Sequence, residues 1–234
     1  PAARAPRLAS ELSATDALTG LRNRRYVHQT IDADVAAALR RTRTEPEAGL
    51  AFMLIDVDHF KAINDAHGHR AGDAILATFA AILRSTCRAS DTVTRWGGEE
   101  FLIVCRETSS RDAAILSERV RLAVSGHTFS VGGAVSCSIG FSTLPYPGRT
   151  VTWDQAVGLA DAALYEAKRR GPNCWVDARR LDATAPPAAQ PRARPVTAAR
   201  VISRSASPSR TARTKVPTRL RNRSSCRHLT PLGM

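Results

Sequence analysis

The stretch Leu50-Ala51-Phe52-Met53-Leu54-Ile55-Asp56-Val57 decides the fold. It is too short and too continuously apolar for a surface helix, and it reads as a strand buried on both faces. Asp56 and Asp58 close it, and a carboxylate at a strand end is aimed out of the sheet edge instead of into the core. Asp58 also fits the N-cap of a helix running from His59 to Asn64.

Upstream, Val27, Ile31, Val35 and Leu39 recur every four residues after Asn23, which predicts an amphipathic helix ending before Pro46. Downstream, Ile75, Leu76, Phe79, Ile82 and Leu83 have the i, i+1, i+4, i+7, i+8 spacing of a second helix, over residues 71–88. Residues 92–96 and 101–105 are β-rich runs separated by Gly97-Gly98-Glu99-Glu100, a hairpin signal because glycine accepts the positive φ of tight turns. A helix over 111–125, a strand in which Val135, Cys137, Ile139 and Phe141 alternate, a helix over 152–170 and a short strand at 174–176 follow. This order predicts one α+β domain with a mostly antiparallel sheet.

Composition sets the outer bounds. The 234 residues carry 34 Lys+Arg against 21 Asp+Glu, a net charge of +13. Residues 178–234 hold 13 of those basic residues and one acid, Asp182, so the rest of the chain is nearly neutral. A nucleic-acid-binding protein read from the overall charge is therefore excluded, and no specific nucleic-acid binding is expected. The same segment holds 7 of the 13 prolines and no aromatic residue, a composition that cannot offset its own ordering entropy, so a disordered basic tail is predicted. Residues 1–15 read as a linker helix from an upstream module, and a chain starting at Pro1 as part of a longer protein. No apolar run approaches the roughly 18 residues of a spanning helix, which with the cysteines points to a soluble, cytoplasmic protein. Cys87, Cys105, Cys137, Cys174 and Cys226 are odd in number and lack any C-x-x-C pair, as buried free thiols would.

Chemistry gathers at the strand end and the hairpin tip. If the first long strand pairs with the hairpin, Asp56 and Glu99 converge, an arrangement suited to hard cations. Mg²⁺ takes one or two carboxylates plus substrate phosphates, which makes a nucleoside triphosphate the natural substrate. Lys61 and Lys168 could meet phosphates, and Asn64, His69 and Asp73 offer amide, imidazole and carboxylate groups suited to a purine edge.

Six strings then occur in order. They are Asp16-Ala-Leu-Thr-Gly-Leu-Arg-Asn-Arg-Arg25, Asp56-Val-Asp-His-Phe-Lys-Ala-Ile-Asn-Asp65, His67-Gly-His-Arg-Ala-Gly-Asp73, Arg95-Trp-Gly-Gly-Glu-Glu-Phe101, Ser138-Ile-Gly140 and Ala160-Asp-Ala-Ala-Leu-Tyr-Glu-Ala-Lys168. Together they resemble the successive motifs of GGDEF-domain diguanylate cyclases, over residues 16–177. The resemblance implies a palm-like nucleotidyl-cyclase sandwich, a mostly antiparallel central sheet flanked by helices, acting in bacterial signalling. It implies that Asp56, the carbonyl of Val57 and Glu99 hold Mg²⁺ (or Mn²⁺), that Asn64 and Asp73 read guanine, and that His69 lines the substrate site. Lys61 and Lys168 would contact phosphates, with Lys61 and Glu99 in catalytic roles, Glu99 activating the attacking hydroxyl. Two GTP would be condensed to cyclic di-GMP and two pyrophosphates across a homodimer.

Arg88, Asp91 and Arg119 fall in the register of the family's product-inhibition site, where arginine planes stack on and fork to cyclic di-GMP. A surface ion pair is the alternative reading of Arg88 and Asp91. Gly171-Pro172-Asn173 departs from the Gly-Arg-Asn that the family often carries there, and the resemblance implies the loss of an arginine that helps bind phosphate. A catalytically silent GTP- or cyclic di-GMP-binding receptor domain is the alternative function.

Overall fold

The computed structural model describes residues 14–130 and 133–182. Their elements run β1 (Arg22–Asn23), α1 (Arg24–Arg41), β2 (Leu50–Val57), α2 (Phe60–His67), α3 (His69–Thr86), β3 (Thr92–Gly97), β4 (Glu100–Arg106), α4 (Ser110–Ser125), β5 (Cys137–Leu144), α5 (Trp153–Arg170), β6 (Trp175–Asp177) and α6 (Arg179–Asp182). One six-stranded sheet has the order β1-β3-β4-β2-β5-β6. β2 pairs antiparallel with both β4 and β5, and β3 with β4, while the edge pairs β1–β3 and β5–β6 are parallel. This is the α+β architecture with a mostly antiparallel sheet that the element order predicts.

Every residue of β2 is buried, because successive side chains enter different layers. Ala51, Met53, Ile55 and Val57 pack with Ile75, Phe79 and Val120 of α3 and α4. Leu50, Phe52 and Leu54 face Val27 and Ile31 of α1 and Ala160 and Leu164 of α5. β5 is likewise buried throughout, so its alternation separates two layers instead of core from solvent. At Gly140 a Cβ would come within 2.1 Å of the Ala160 carbonyl oxygen and the Leu164 nitrogen. The glycine of Ser138-Ile-Gly140 thus lets α5 lie directly on the sheet, and α5 carries Lys168.

Four expectations need correction. Leu39 does not face the core and is 45% exposed, while Ala38 is buried. A spacing of four at about 100° per residue drifts about 40° per step, so Leu39 sits about 120° from Val27 and Ala38 only about 20°. The helix predicted at 71–88 is α3 and starts earlier, at His69, while the short helix expected at 59–64 is α2 and runs on to His67, parted from α3 by Gly68 at φ +81. Asp58 does not cap α2: His59 holds the N-cap position at φ +56 with no side-chain cap bond. Asp58 instead accepts hydrogen bonds from Ser136, Ser138 and Asn173. Packing also continues past 177. Ala178 is buried, its N–H donates to the Phe141 carbonyl, and Leu181 packs on the same layer.

Cys87, Cys105, Cys137 and Cys174 are free thiols. Burial pushes the Cys87 thiol up to about 12 and holds the Cys105 thiol well above its ordinary value, so neither is a thiolate at neutral pH. No helix among the described residues is long and apolar enough to cross a membrane. The predicted linker (but for its last two residues), the tail from residue 183 and Cys226 lie outside the described residues.

Candidate active site

The antiparallel pairing of β2 with β4 sets Asp56 opposite Glu100, and the β2–β5 register sets it opposite Ser138. The Val57 N–H reaches the Glu99 carbonyl at 3.4 Å, so the strand end and the hairpin tip meet as predicted. Asp56 is only 6% exposed. Burial raises its carboxyl to about 6, the Lys168 ammonium opposes that rise, and the charges of Glu99 and Glu100 add to it. Lys168 reaches from α5 to Asp56, Nζ to Oδ2 2.8 Å, so its ammonium rests on a carboxylate and not free for a phosphate.

The Gly97-Gly98 turn works differently from the prediction. Neither glycine adopts a positive φ. The chain turns at Gly98-Glu99, between the paired Gly97 and Glu100, just after a register shift between Arg95 and Gly97, and a Cβ on Gly98 would meet nothing within 4 Å. Gly98 thus offers bare backbone facing open space, where a ligand can approach closely, whereas a Cβ on Gly97 would come within 3.2 Å of Glu100 Oε2. Arg95 holds the turn, its Nε and NH2 donating to the Gly98 carbonyl at 3.0 and 2.9 Å, and its NH1 reaches both carboxylate oxygens of Asp16 at 3.2 Å. Asp16 is fixed in turn by the backbone and hydroxyl of Thr19. No local pattern in the sequence announces this buttress, although Asp16 and Arg95 both lie in family-like motifs.

Asn64 on α2 and His69 and Asp73 on α3 flank the Gly68 break. Asn64 Oδ1 is buried with no hydrogen-bond partner, and a Cβ on Gly72 would come within 2.0 Å of it. A buried unpaired amide oxygen is costly, and a ligand's N–H would satisfy it. His69, Asp73 and Lys61 are exposed, and Lys61 makes no hydrogen bond or ion pair among the described residues.

Away from the catalytic candidates, Asp91 Oδ2 accepts the Arg88 backbone N–H at 2.9 Å. The carboxylate therefore shapes the turn, and no Arg88–Asp91 side-chain ion pair forms, contrary to the surface-pair alternative. Asp91 Oδ1 is buried and unpartnered. Arg119 NH2 donates to the Thr86 carbonyl at 2.7 Å. The three residues line one hollow of about 60 Å³, and Arg88 and Asp91 also line a groove of about 780 Å³ beside Arg22, Tyr26, Arg84 and Arg106.

A divalent cation fits the strand end. A buried carboxyl beside two more carboxylates repels its neighbours, an ammonium already sits on it as counter-charge, and the donors are hard oxygens. No cluster of three metal-ligating side chains is assembled among the described residues.

Residues 13–174 match the family described as diguanylate cyclase, GGDEF domain. The chain belongs to the GGDEF diguanylate cyclase family. It is 40% identical over 171 residues to the response regulator PleD of Caulobacter vibrioides, covering 71% of this chain and 36% of the relative. Diguanylate cyclase DgcS of Shewanella oneidensis is 37% identical over 160 residues, 68% of this chain and 51% of the relative. The chain thus spans about a third to a half of these relatives. The fold matches the coiled coil and GGDEF domain of DgcB from Caulobacter crescentus, solved in complex with c-di-GMP. The TM-score is 0.62 at 29% identity, over 75% of this chain and 94% of that one.

Proposed function

We propose that the chain is a Mg²⁺-dependent diguanylate cyclase, condensing two GTP into cyclic di-GMP and two pyrophosphates. The observation that carries this reading is the buried Asp56 carboxyl, held at the end of the interior strand β2 against Glu99 and Glu100 by strand pairing, with Lys168 on its Oδ2. Asp56, the Val57 carbonyl and Glu99 would hold the ion, with Mn²⁺ able to substitute. The bound ion supplies charge neutralisation at the α-phosphate and a more acidic attacking hydroxyl.

The chain's own groups do the rest. Asn64 Oδ1 accepts from the guanine edge, Asp73 accepts beside it, and His69 borders the base from the first turn of α3. Lys61 stands at the start of α2, free to meet a phosphate. Lys168 exchanges Asp56 for a phosphate oxygen once the carboxylate has another counter-charge. Glu99, at the open Gly97-Gly98 turn, accepts the proton of the 3′-hydroxyl that attacks the α-phosphate of the opposing GTP, and pyrophosphate leaves in line.

One domain presents one GTP, so two copies must face each other, and the working unit is a homodimer. Arg88, Asp91 and Arg119 form the product site, where cyclic di-GMP slows turnover; the similarity to a domain solved with c-di-GMP supports this. The test is incubation of the purified chain with GTP and Mg²⁺, with the product identified by mass. Cyclic di-GMP is the expected product. Its absence, with tight binding of GTP or cyclic di-GMP, would assign the receptor function that the Pro172 replacement favours.

A further inference from the structure

We infer that Asp58 is a positioning residue for the active site, a side-chain staple that joins the end of β2, the start of β5 and the loop after α5. Its Oδ1 accepts the Ser138 hydroxyl at 2.6 Å. Its Oδ2 accepts the Ser136 hydroxyl at 2.6 Å and the Asn173 backbone N–H at 2.8 Å. Its own N–H donates to the Ser136 carbonyl at 3.0 Å, which carries the β2–β5 ladder one step beyond Val57 and Cys137. The side chain is 7% exposed, and no basic group pairs with it among the described residues.

A carboxyl group buried without a cation is an expensive way to tie loops together, and its use here asks for a reason. Its two oxygens offer about four acceptor sites, so it can gather donors from three directions, which a hydroxyl or an amide cannot. The segments it gathers carry the chemistry. Asp56 and Val57 precede it on β2. Asn173 follows α5 by three residues, and α5 carries Lys168, whose ammonium is 2.8 Å from Asp56.

The chain from Lys168 to Asn173 is therefore fastened at both ends to the same strand end, by Lys168 to Asp56 and by Asn173 to Asp58. Pro172 fixes its own φ within that short link, and Asn173 sits at φ +59. Freed from Asp58, the link and the strand end could shift against each other, moving Asp56, the Val57 carbonyl and Lys168 out of register. Displacements near 1 Å cost such sites about a hundredfold in rate. The inference rests on the proposed cyclase reading of the strand end.

The test compares Asp58→Asn with Ser110→Ala. The second change breaks a hydroxyl–carboxylate bond of the same kind, Ser110 Oγ to Asp177 Oδ2 at 2.8 Å, between the start of α4 and the last residue of β6. Two readouts are taken besides melting: kcat with GTP, and Mn²⁺ affinity by electron paramagnetic resonance on the chain holding an α,β-methylene GTP analogue. Asp58→Asn should lower kcat at least about tenfold and weaken Mn²⁺ at least about fivefold, with the GTP KM within about threefold. Ser110→Ala should leave both within about twofold, even at an equal loss of melting temperature. Equal losses in the two variants, or an Asp58→Asn chain within twofold of the parent, overturn the inference. If the parent makes no product but binds Mn²⁺ with the analogue, the cyclase reading fails while the affinity comparison still decides the role of Asp58. If the parent binds neither, both readings fall.

Discussion

Replacing Asp56 with Asn should stop synthesis and at the same time make the metal-free protein harder to melt. The carboxyl is 6% exposed and is raised from its ordinary 3.8 to about 6, by burial first and by Glu99 and Glu100 after it. An acid whose folded value lies above its unfolded value stabilises the fold only while protonated. The advantage is present below about pH 4, shrinks as pH rises toward 6, and is gone above it. At neutral pH the ionised folded state is therefore about 3 kcal/mol worse than it would be with an unperturbed group.

Asparagine removes that burden. The pull of Lys168 is already inside that net figure, so what offsets the gain is the burial of the new amide in the carboxylate's place, about 1–2 kcal/mol. A net gain of about 1–2 kcal/mol raises the melting temperature by about 2–8 °C for a domain of this size. Thermal melts in a chelator across pH 5 to 8 measure it. The gain should be largest at pH 7–8 and fall toward pH 5. Excess Mg²⁺ with a GTP analogue should lift the parent and not the variant, because only the parent binds the ion in its folded state. A variant that melts below the parent at pH 7.5 without metal, or a difference that does not move with pH, refutes the reasoning.

Glu99→Gln should drop the rate below a tenth of the parent's with unchanged melting, since the side chain is only half-buried and its loss leaves no cavity; more than a tenth of the rate, measured as cyclic di-GMP formed, removes Glu99 from the ion's ligands. Arg88→Ala should weaken product inhibition at least about tenfold, about 1.4 kcal/mol, at a near-parental uninhibited rate; calorimetry of cyclic di-GMP on a Glu99→Gln background checks the binding directly. A chain ending at residue 182 should melt within about 2 °C of the full chain. One ending at 177 should lose several degrees, because it gives up the burial of Ala178 and Leu181 and the Arg179–Asp177 pair, 2.8 Å.

Much of this was legible from periodicity, and the errors have physical sources. Leu50 to Val57 could only be a central strand, and the helices holding Phe79 and Leu164 follow from 3.6-residue stripes. The short helix at 59–64 rests on a cap candidate alone, because α2 has eight residues and buries only Phe60, too few for a stripe, and it starts from a left-handed His59 that no pattern announces. α6 is hidden because Arg179 and Arg180 look like the basic segment that follows, while its anchors are only one small residue, Ala178, and one half-buried leucine, Leu181. At the site, the meeting of Asp56 with Glu99 followed from one assumed strand pairing. The Asp16–Arg95 buttress joins residues 79 apart, and Asp58 joins residues up to 115 apart. Polar links of that range leave no local signature, so Asp58 was assigned to the nearest helix.

The same geometry constrains how product could act. Arg88 and Asp91 lie just before β3 and the Gly97-Gly98 turn lies at its end, six strand residues away, about 20 Å. A ligand on the Arg88 turn therefore cannot occupy the GTP site of its own chain, and competition with GTP is the wrong expectation. The 60 Å³ hollow at Arg119 is also too small for a dinucleotide, so a bound product must extend into the 780 Å³ groove or onto a second copy. A two-faced ligand held that way can stop the reaction by fixing two domains with their GTP sites apart, a shift that needs only a higher affinity for that arrangement. Inhibition should then lower the maximal rate while leaving the GTP KM near its starting value, and added GTP should not relieve it. Relief by GTP would place the product in the substrate site and leave the Asp91 turn a matter of local backbone shape alone.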